Sequence, residues 1–263
     1  VTKLQMIGGG KMAEALLGGM IEQGWAQPDD LHVVEPVAAR RNELTERYPG
    51  LSVGTEPVAG ADAVVAVKPD VVSVVLTGLA SAGVRRVLSI AAGVRTAAIE
   101  AAMGEGAAVV RCMPNTPALV GQGAAGIAAG AHADADDLEW AAGILAAVGI
   151  VVTVDEVDLD AVTGLSGSGP AYVFRMAEAL IAAGIAEGLD PATADALARQ
   201  TLLGASTLLS TSGEDPAVLR TNVTSKGGTT AAGLAVFDDA DFLGLVADVV
   251  RAAAERSREL GAE

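Results

Sequence analysis

Aromatic side chains are nearly missing from this chain: 263 residues hold three phenylalanines, two tyrosines and two tryptophans. The core must therefore be aliphatic and alanine-rich, with backbones packed close together. Cysteine occurs once, at Cys112, which excludes an internal disulfide framework and suits a reducing compartment. Cys112 reads as a small buried apolar residue rather than a nucleophile. Of the two histidines, His32 falls inside a predicted strand and His132 in a loop. No His/Cys cluster has metal-ligand spacing, so no metal is expected. Positive charge is scarce as well: 17 Lys and Arg stand against 33 Asp and Glu, a formal charge of −16. That balance argues against nucleic acid or an anionic membrane as partner. An anionic cofactor stays compatible, because it needs only a local set of donors. Membrane-length apolar runs are lacking too. Residues 112–133 are uncharged, but Pro114, Pro117, Asn115 and Gln122 mark them as loop and strand, and residues 141–154 are too few to span a bilayer. No charged stretch precedes an apolar signal core, so no export signal is expected and a cytoplasmic location is.

What the chain does have is apolar bulk, 51% of its residues, enough for one large domain or two ordinary ones. It opens with an apolar strand at residues 3–7, then Gly8-Gly9-Gly10-Lys11-Met12-Ala13, then a helical run from Glu14 to Ile21. Gly8-x-Gly10-x-x-Ala13 fits the dinucleotide fingerprint: a tight turn, a glycine that admits a pyrophosphate, and a small residue for close helix–strand packing. Glycine turns between strand and helix are common, and the context gives this one its weight. A second strand at 31–35 ends in Glu35, 22 residues after Ala13, where an acidic side chain would meet an adenosine ribose.

Strands are predicted at 3–7, 31–35, 63–67, 86–91, 108–112, 124–129 and 151–154, with helices at 36–48, 70–79, 95–103 and 134–148. Such alternation predicts a mainly parallel sheet covered on both faces, with ligands beyond the carboxyl ends of its strands. Three loops lie there: Ala66-Val67-Lys68-Pro69, Ala91-Ala92-Gly93, and Met113-Pro114-Asn115 running on to Pro117. Each alone is an ordinary turn; together, beside the glycine turn, they form a candidate cofactor rim.

After Asp155 the strands stop. Gly169-Pro170, Asp190-Pro191 and Asp215-Pro216 each start a helix, and Gly188 and Gly227-Gly228 mark breaks. Val173, Met176, Ala177, Leu180, Ile181 and Ile185 follow helical spacing, as do Ala194, Leu197, Ala198, Thr201, Leu202, Ala205, Leu208 and Leu209. The simplest reading of these stripes is a core; a dimer interface is the other. The expected division is residues 1–155, a Rossmann-like nucleotide domain, and residues 156–263, a helical one.

The stretch from Thr221 to Gly233 says most about chemistry. Hydroxyls, two adjacent glycines and Lys226 stand just before an apolar helical run. That is a helix start suited to an anion: unpaired N–H groups, the positive end of the helix dipole and no bulk in the way. The bland alternative is an ordinary capped loop.

Taken in order, residues 8–13, 66–69, 113–117, Asp160 to Tyr172 and Val223 to Thr230 resemble pyrroline-5-carboxylate reductase over nearly the whole chain. The resemblance implies reduction of a cyclic imine, 1-pyrroline-5-carboxylate, to proline by a nicotinamide cofactor. It also implies a Rossmann-type domain followed by a helical domain that intertwines with its twofold mate, in homodimers and often rings of dimers. With the fingerprint and the rim loops, it gives the expected cofactor contacts as Gly8, Gly9, Gly10, Lys11, Met12, Ala13, Glu35, Val67, Lys68, Pro69, Ala91, Ala92, Gly93, Met113, Pro114 and Asn115. Substrate contacts fall at Glu156, Asn222, Ser225, Gly227, Gly228, Thr229 and Thr230, with Thr230 as proton donor. The family mostly uses NADPH, whereas Glu35 favours NADH by repelling a 2′-phosphate. Arg40 and Arg41 could compensate by turning inward. Two rival readings are a 3-hydroxyacid dehydrogenase, whose usual helical-domain lysine has no counterpart here but Lys226, and a non-catalytic nucleotide-binding sensor.

Overall fold

A computed structural model of the chain describes residues 2–261. Its strands are β1 (Leu4–Ile7), β2 (Leu31–Val34), β3 (Ser52–Gly54), β4 (Asp62–Val65), β5 (Arg86–Ser89), β6 (Ala108–Met113), β7 (Gly123–Ala129) and β8 (Gly149–Thr153). Helices α1 (Lys11–Glu22), α2 (Ala38–Arg47), α3 (Val72–Ser81), α4 (Thr96–Met103) and α5 (Ala135–Ala146) alternate with them. The strands form one sheet in the order β3-β2-β1-β4-β5-β6-β7-β8. All neighbours are parallel except β6 and β7. The chain moves outward from β1 through β2 to β3, then returns to lay β4 on the other side of β1. That reversal makes the carboxyl ends of β1 and β4 the place where a ligand fits.

Side-chain alternation along β1 divides the core between the two faces of the sheet. Leu4 and Met6 join Leu16, Leu17 and Met20 of α1 and Ile144 and Leu145 of α5. Ile7 joins Val65, Val87, Val72, Leu76 and Leu79 of α3, and Ile99 and Met103 of α4. The expected layering of helices on both faces is found. Truncating a fully buried leucine such as Leu16 costs about 2–5 kcal/mol, so these two layers suffice to hold the sheet. Sequence patterning missed β3, whose three residues Ser-Val-Gly are too few to show a period. It pairs with β2 at His32↔Ser52, where His32 Nδ1 lies 2.8 Å from the Ser52 hydroxyl.

The helices that follow are α6 (Leu159–Val162), α7 (Gly169–Ala186), α8 (Pro191–Ser212), α9 (Pro216–Asn222), α10 (Thr229–Asp239) and α11 (Phe242–Leu260), with a π-helical turn at Thr163–Gly167. The Asp-Pro pairs act as read: the Asp190 carboxylate accepts the N–H groups of Ala192 and Thr193, and Asp215 that of Ala217. By packing, one compact unit runs to Ser168 and regains the chain from Arg251 onward, and a second holds residues 169–250. Strands therefore end before the first unit does. Leu159 is buried, and a Cβ on Gly126 of β7 would meet Val162 at 2.9 Å, so α6 lies tight on the sheet. The end of α11 is tied to the same unit by the Ser257 hydroxyl, which donates to Asp160 Oδ1 at 2.6 Å.

The second unit is built differently. Helices α7, α9 and α10 bury no residue fully, and α8 buries only Ala194 and Ala198. Leu197, Leu208 and Leu209 of the α8 stripe are 55%, 52% and 46% exposed. The stripes are thus not an intrachain core. Ion pairs such as Arg175–Glu178 and Arg199–Asp195 are exposed and worth about 0.3–0.5 kcal/mol each, too little to replace one. Apolar surface on this scale calls for another protein surface. A charge within the stripe, Leu208→Glu, should leave the chain folded and weaken self-association at least roughly tenfold. Sedimentation over a concentration series reads this, with wild type at twice the 26.1 kDa chain mass or a multiple of that dimer; an unchanged mass for the variant would remove α8 from the interface.

Candidate active site

At the end of β1 the backbone turns through Gly8, whose φ of +99° disfavours any side chain. A Cβ there would also meet the Ala66 carbonyl oxygen at 2.7 Å and Val67 Cγ1 at 3.0 Å. The first glycine thus lets the loop after β4 close against the turn after β1, bringing two of the expected cofactor segments together. Gly10, the N-cap of α1, has open space where a Cβ would stand and no side chain caps the helix. The N–H groups of Lys11, Met12 and Ala13 lack intrahelical partners by helix geometry. They point where the dipole favours negative charge. Ala13 is buried, Lys11 exposed and Met12 between. A cradle open at Gly10 and closed at Gly8 suits a pyrophosphate.

Glu35 reaches this turn from the end of β2. It is buried; Oε2 accepts the Gly9 N–H at 2.9 Å and Oε1 the Val37 N–H at 2.8 Å. Arg40 and Arg41 do not turn toward an open ribose position. Arg40 Nε donates to the Gly9 carbonyl, and Arg41 Nη1 donates to the carbonyls of Glu35 and Pro36.

The rim loops differ in how much of them is open. Lys68, Pro69 and Ala92 are exposed, and Val67, Gly93, Met113 and Pro114 partly so, while Ala91 is buried. Leu260 backbone atoms lie 3.6 Å from a Cβ built on Gly93, so the end of α11 borders that loop. Asn115 has its side chain committed: its amide donates to the Ser166 carbonyl at 3.1 Å and its oxygen accepts the Ala124 N–H at 2.9 Å. Asn115 braces the loop, leaving only its backbone for a ligand. Cys112 is buried and burial pushes its thiol pKa up, away from nucleophile chemistry. Among the described residues no group of His, Cys, Asp and Glu could hold a metal.

Glu156 is engaged within the chain. Its Oε1 accepts the Thr96 N–H at 2.8 Å and Arg111 Nη1 at 3.2 Å, and its Oε2 accepts the Thr96 hydroxyl at 2.8 Å. Thr96 is the first residue of α4 and Arg111 is buried in β6. The carboxylate therefore neutralises a buried guanidinium and caps α4, a structural tie within the chain. A lone arginine amid Val109-Val110 and Cys112 was the sequence signal for it. Burial acts to raise the Glu156 pKa, but the Thr96 and Arg111 hydrogen bonds outweigh it and hold the carboxyl below the usual glutamate range.

In the second unit, α10 begins at Thr229 with Gly228 as N-cap and no side-chain cap. Gly227, with φ +71°, makes the turn, and Gly228 N–H donates to the Ser225 carbonyl at 3.0 Å. A Cβ on Gly228 would collide with the Ser225 hydroxyl, so both glycines are needed. Asn222, Ser225, Lys226, Thr229 and Thr230 are exposed. The Thr230 hydroxyl has no hydrogen-bond partner among the described residues. The expected anion-ready helix start is present, and no side chain caps it.

Comparison with known proteins gives this arrangement a family. A curated pyrroline-5-carboxylate reductase from Synechocystis is 45% identical over 98% of both chains. The chain belongs to the pyrroline-5-carboxylate reductase family. Residues 156–260 match the pyrroline-5-carboxylate reductase dimerisation family, and residues 3–93 match "NADP oxidoreductase coenzyme F420-dependent". A solved pyrroline-5-carboxylate reductase from Coxiella burnetii superposes with a TM-score of 0.93 at 34% identity, over 98% of each chain. The Plasmodium falciparum pyrroline carboxylate reductase, solved with NADP bound, gives 0.84 at 30% identity, over 99% of this chain and 98% of that one. The all-helical second half thus matches a dimerisation module, which fits its exposed stripes.

The lowered Glu156 pKa fixes the sign of a pH effect. Its stabilisation is complete above the unfolded glutamate value and is lost as pH falls through the lower folded value. Glu156→Gln should cost about 1–3 kcal/mol at neutral pH. The gap to wild type should close in acid, read from urea midpoints across pH. A gap that stays constant into acid would show that the charge carries none of it.

Proposed function

We propose that this chain reduces 1-pyrroline-5-carboxylate to L-proline, using NAD(P)H. The observation that carries this reading is the end-to-end match to curated pyrroline-5-carboxylate reductases. When bound, the nicotinamide supplies the hydride that reduces the imine carbon.

The chain's own part is to hold both reactants. Residues 8–13 cradle the pyrophosphate through backbone N–H groups, and Val67, Lys68, Pro69, Ala91, Ala92, Gly93, Met113 and Pro114 line the rest of the cofactor. The turn from Ser225 through Gly227, Gly228 and Thr229 to Thr230 holds the substrate carboxylate on the uncapped start of α10, with Asn222 beside it. Thr230 places its hydroxyl near the ring nitrogen and donates or relays a proton there. A strong acid is unnecessary, because a protonated imine already carries the charge that the hydride neutralises; most of the rate comes from positioning. Lys226, exposed beside the turn, steers anionic ligands without touching them. The enzyme works in the cytoplasm as a homodimer through its helical unit, with rings of dimers as the higher assembly.

Adding pyrroline-5-carboxylate to protein and reduced cofactor should oxidise the cofactor and yield proline; no substrate-dependent oxidation would end this reading. Thr230→Ala should lower kcat on the order of 10²-fold, while His132→Ala, an exposed loop residue, should leave it unchanged. Equal small losses in both would take Thr230 out of the mechanism.

A further inference from the structure

The glycine turn is gripped from two sides at one residue. Glu35 Oε2 accepts the Gly9 N–H at 2.9 Å, and Arg40 Nε donates to the Gly9 carbonyl at 2.7 Å. These groups belong to successive peptides, so neither can rotate without breaking a charge-assisted bond. Arg40 is itself held: Nη1 donates to Glu43 at 2.9 Å and Nη2 pairs with Glu14. The other oxygen of Glu14 takes Arg47 at 2.7 Å. Arg41 is spent on the carbonyls of Glu35 and Pro36, at 3.0 and 2.7 Å.

We infer that Glu14, Arg40 and Glu35 form a clamp that positions the cofactor turn and selects a dinucleotide lacking a 2′-phosphate, NADH over NADPH. This rests on the nucleotide-binding reading of the turn. A phosphate at the end of β2 meets the Glu35 charge, and the two arginines that follow β2, Arg40 and Arg41, are already paired with carboxylates and carbonyls. A free diol meets a carboxylate with lone pairs left after its two backbone bonds. Glu14 matters as much as Glu35, because it withholds Arg40. All three are positioning and specificity residues.

Direct fluorescence titration of the protein with NADH and with NADPH, without substrate, tests this. Wild type should bind NADH roughly tenfold more tightly, and Glu14→Gln, which releases Arg40, should narrow that ratio at least about threefold, chiefly by tightening NADPH. Loss of a merely structural ion pair would weaken both cofactors alike and leave the ratio alone. Tighter NADPH binding by wild type, or an unchanged ratio in Glu14→Gln, overturns the inference. Should that variant not fold, Arg40→Lys replaces it: an ammonium cannot hold both Glu14 and the Gly9 carbonyl in Arg40's geometry, and the same two outcomes apply. Failure of the proline assay would leave the ratio standing, so the two readings fail separately.

Discussion

No side chain fits between residue 8 and the Ala66 carbonyl, and the nucleotide half of the molecule is arranged around that closeness. A Cβ would sit 2.7 Å from the oxygen, well inside contact distance, and φ of +99° adds its own penalty. Because the two loops touch, the ends of β1 and β4 form one floor rather than two separate turns. Because β1 and β4 are neighbours only through the reversal in strand order, the floor lies at the crevice of the sheet. The glycine is required by the sheet's topology as much as by the ligand.

A chain with a formal charge of −16 that handles two anionic ligands faces an electrostatic problem, and the structure meets it locally. The arginines near the glycine turn are committed: Arg40 and Arg47 to Glu14, Arg41 to carbonyls. Backbone N–H groups at the uncapped starts of α1 and α10 are left for an anion, with exposed Lys11 and Lys226 beside them. A helix start contributes about 0.3–1 kcal/mol from its dipole, more when partly buried, besides the hydrogen bonds of its N–H groups. Such donors are rigid, carry no side-chain entropy and leave the net charge untouched. The same economy explains Glu156, where one carboxylate neutralises buried Arg111 and caps α4.

The architecture was legible because its signals are periodic or positional: short apolar runs between helical stripes, and Asp-Pro pairs at helix starts. The glycine turns were legible because Gly8 and Gly227 sit at positive φ, a conformation that favours glycine. What stayed hidden were partnerships across long sequence separations. Nothing in the sequence joins Glu156 to Thr96, 60 residues away, or the Asn115 side chain to Ser166 and Ala124. Arg40 was visible as a cation near the ribose end of the turn, but its direction depends on Glu14, 26 residues earlier. Residue type shows that a charge is present; only the fold shows what has already neutralised it.

The turn at Gly227 and Gly228, the proposed substrate clamp, inherits its order from the unit that carries it. Helix α10 buries none of its own residues fully, and α7 and α9 of the same unit bury none either. Conformational entropy of about 1–2 kcal/mol per residue must still be offset to hold such a segment. The exposed aliphatic stripes are the available source, and they act only when covered by another surface. Dimerisation then stabilises the folded unit by mass action and, with it, the helix start proposed to receive the carboxylate. Weak dimers should accordingly bind substrate poorly before they lose cofactor, since the glycine turn at Gly8 rests on the core of its own sheet.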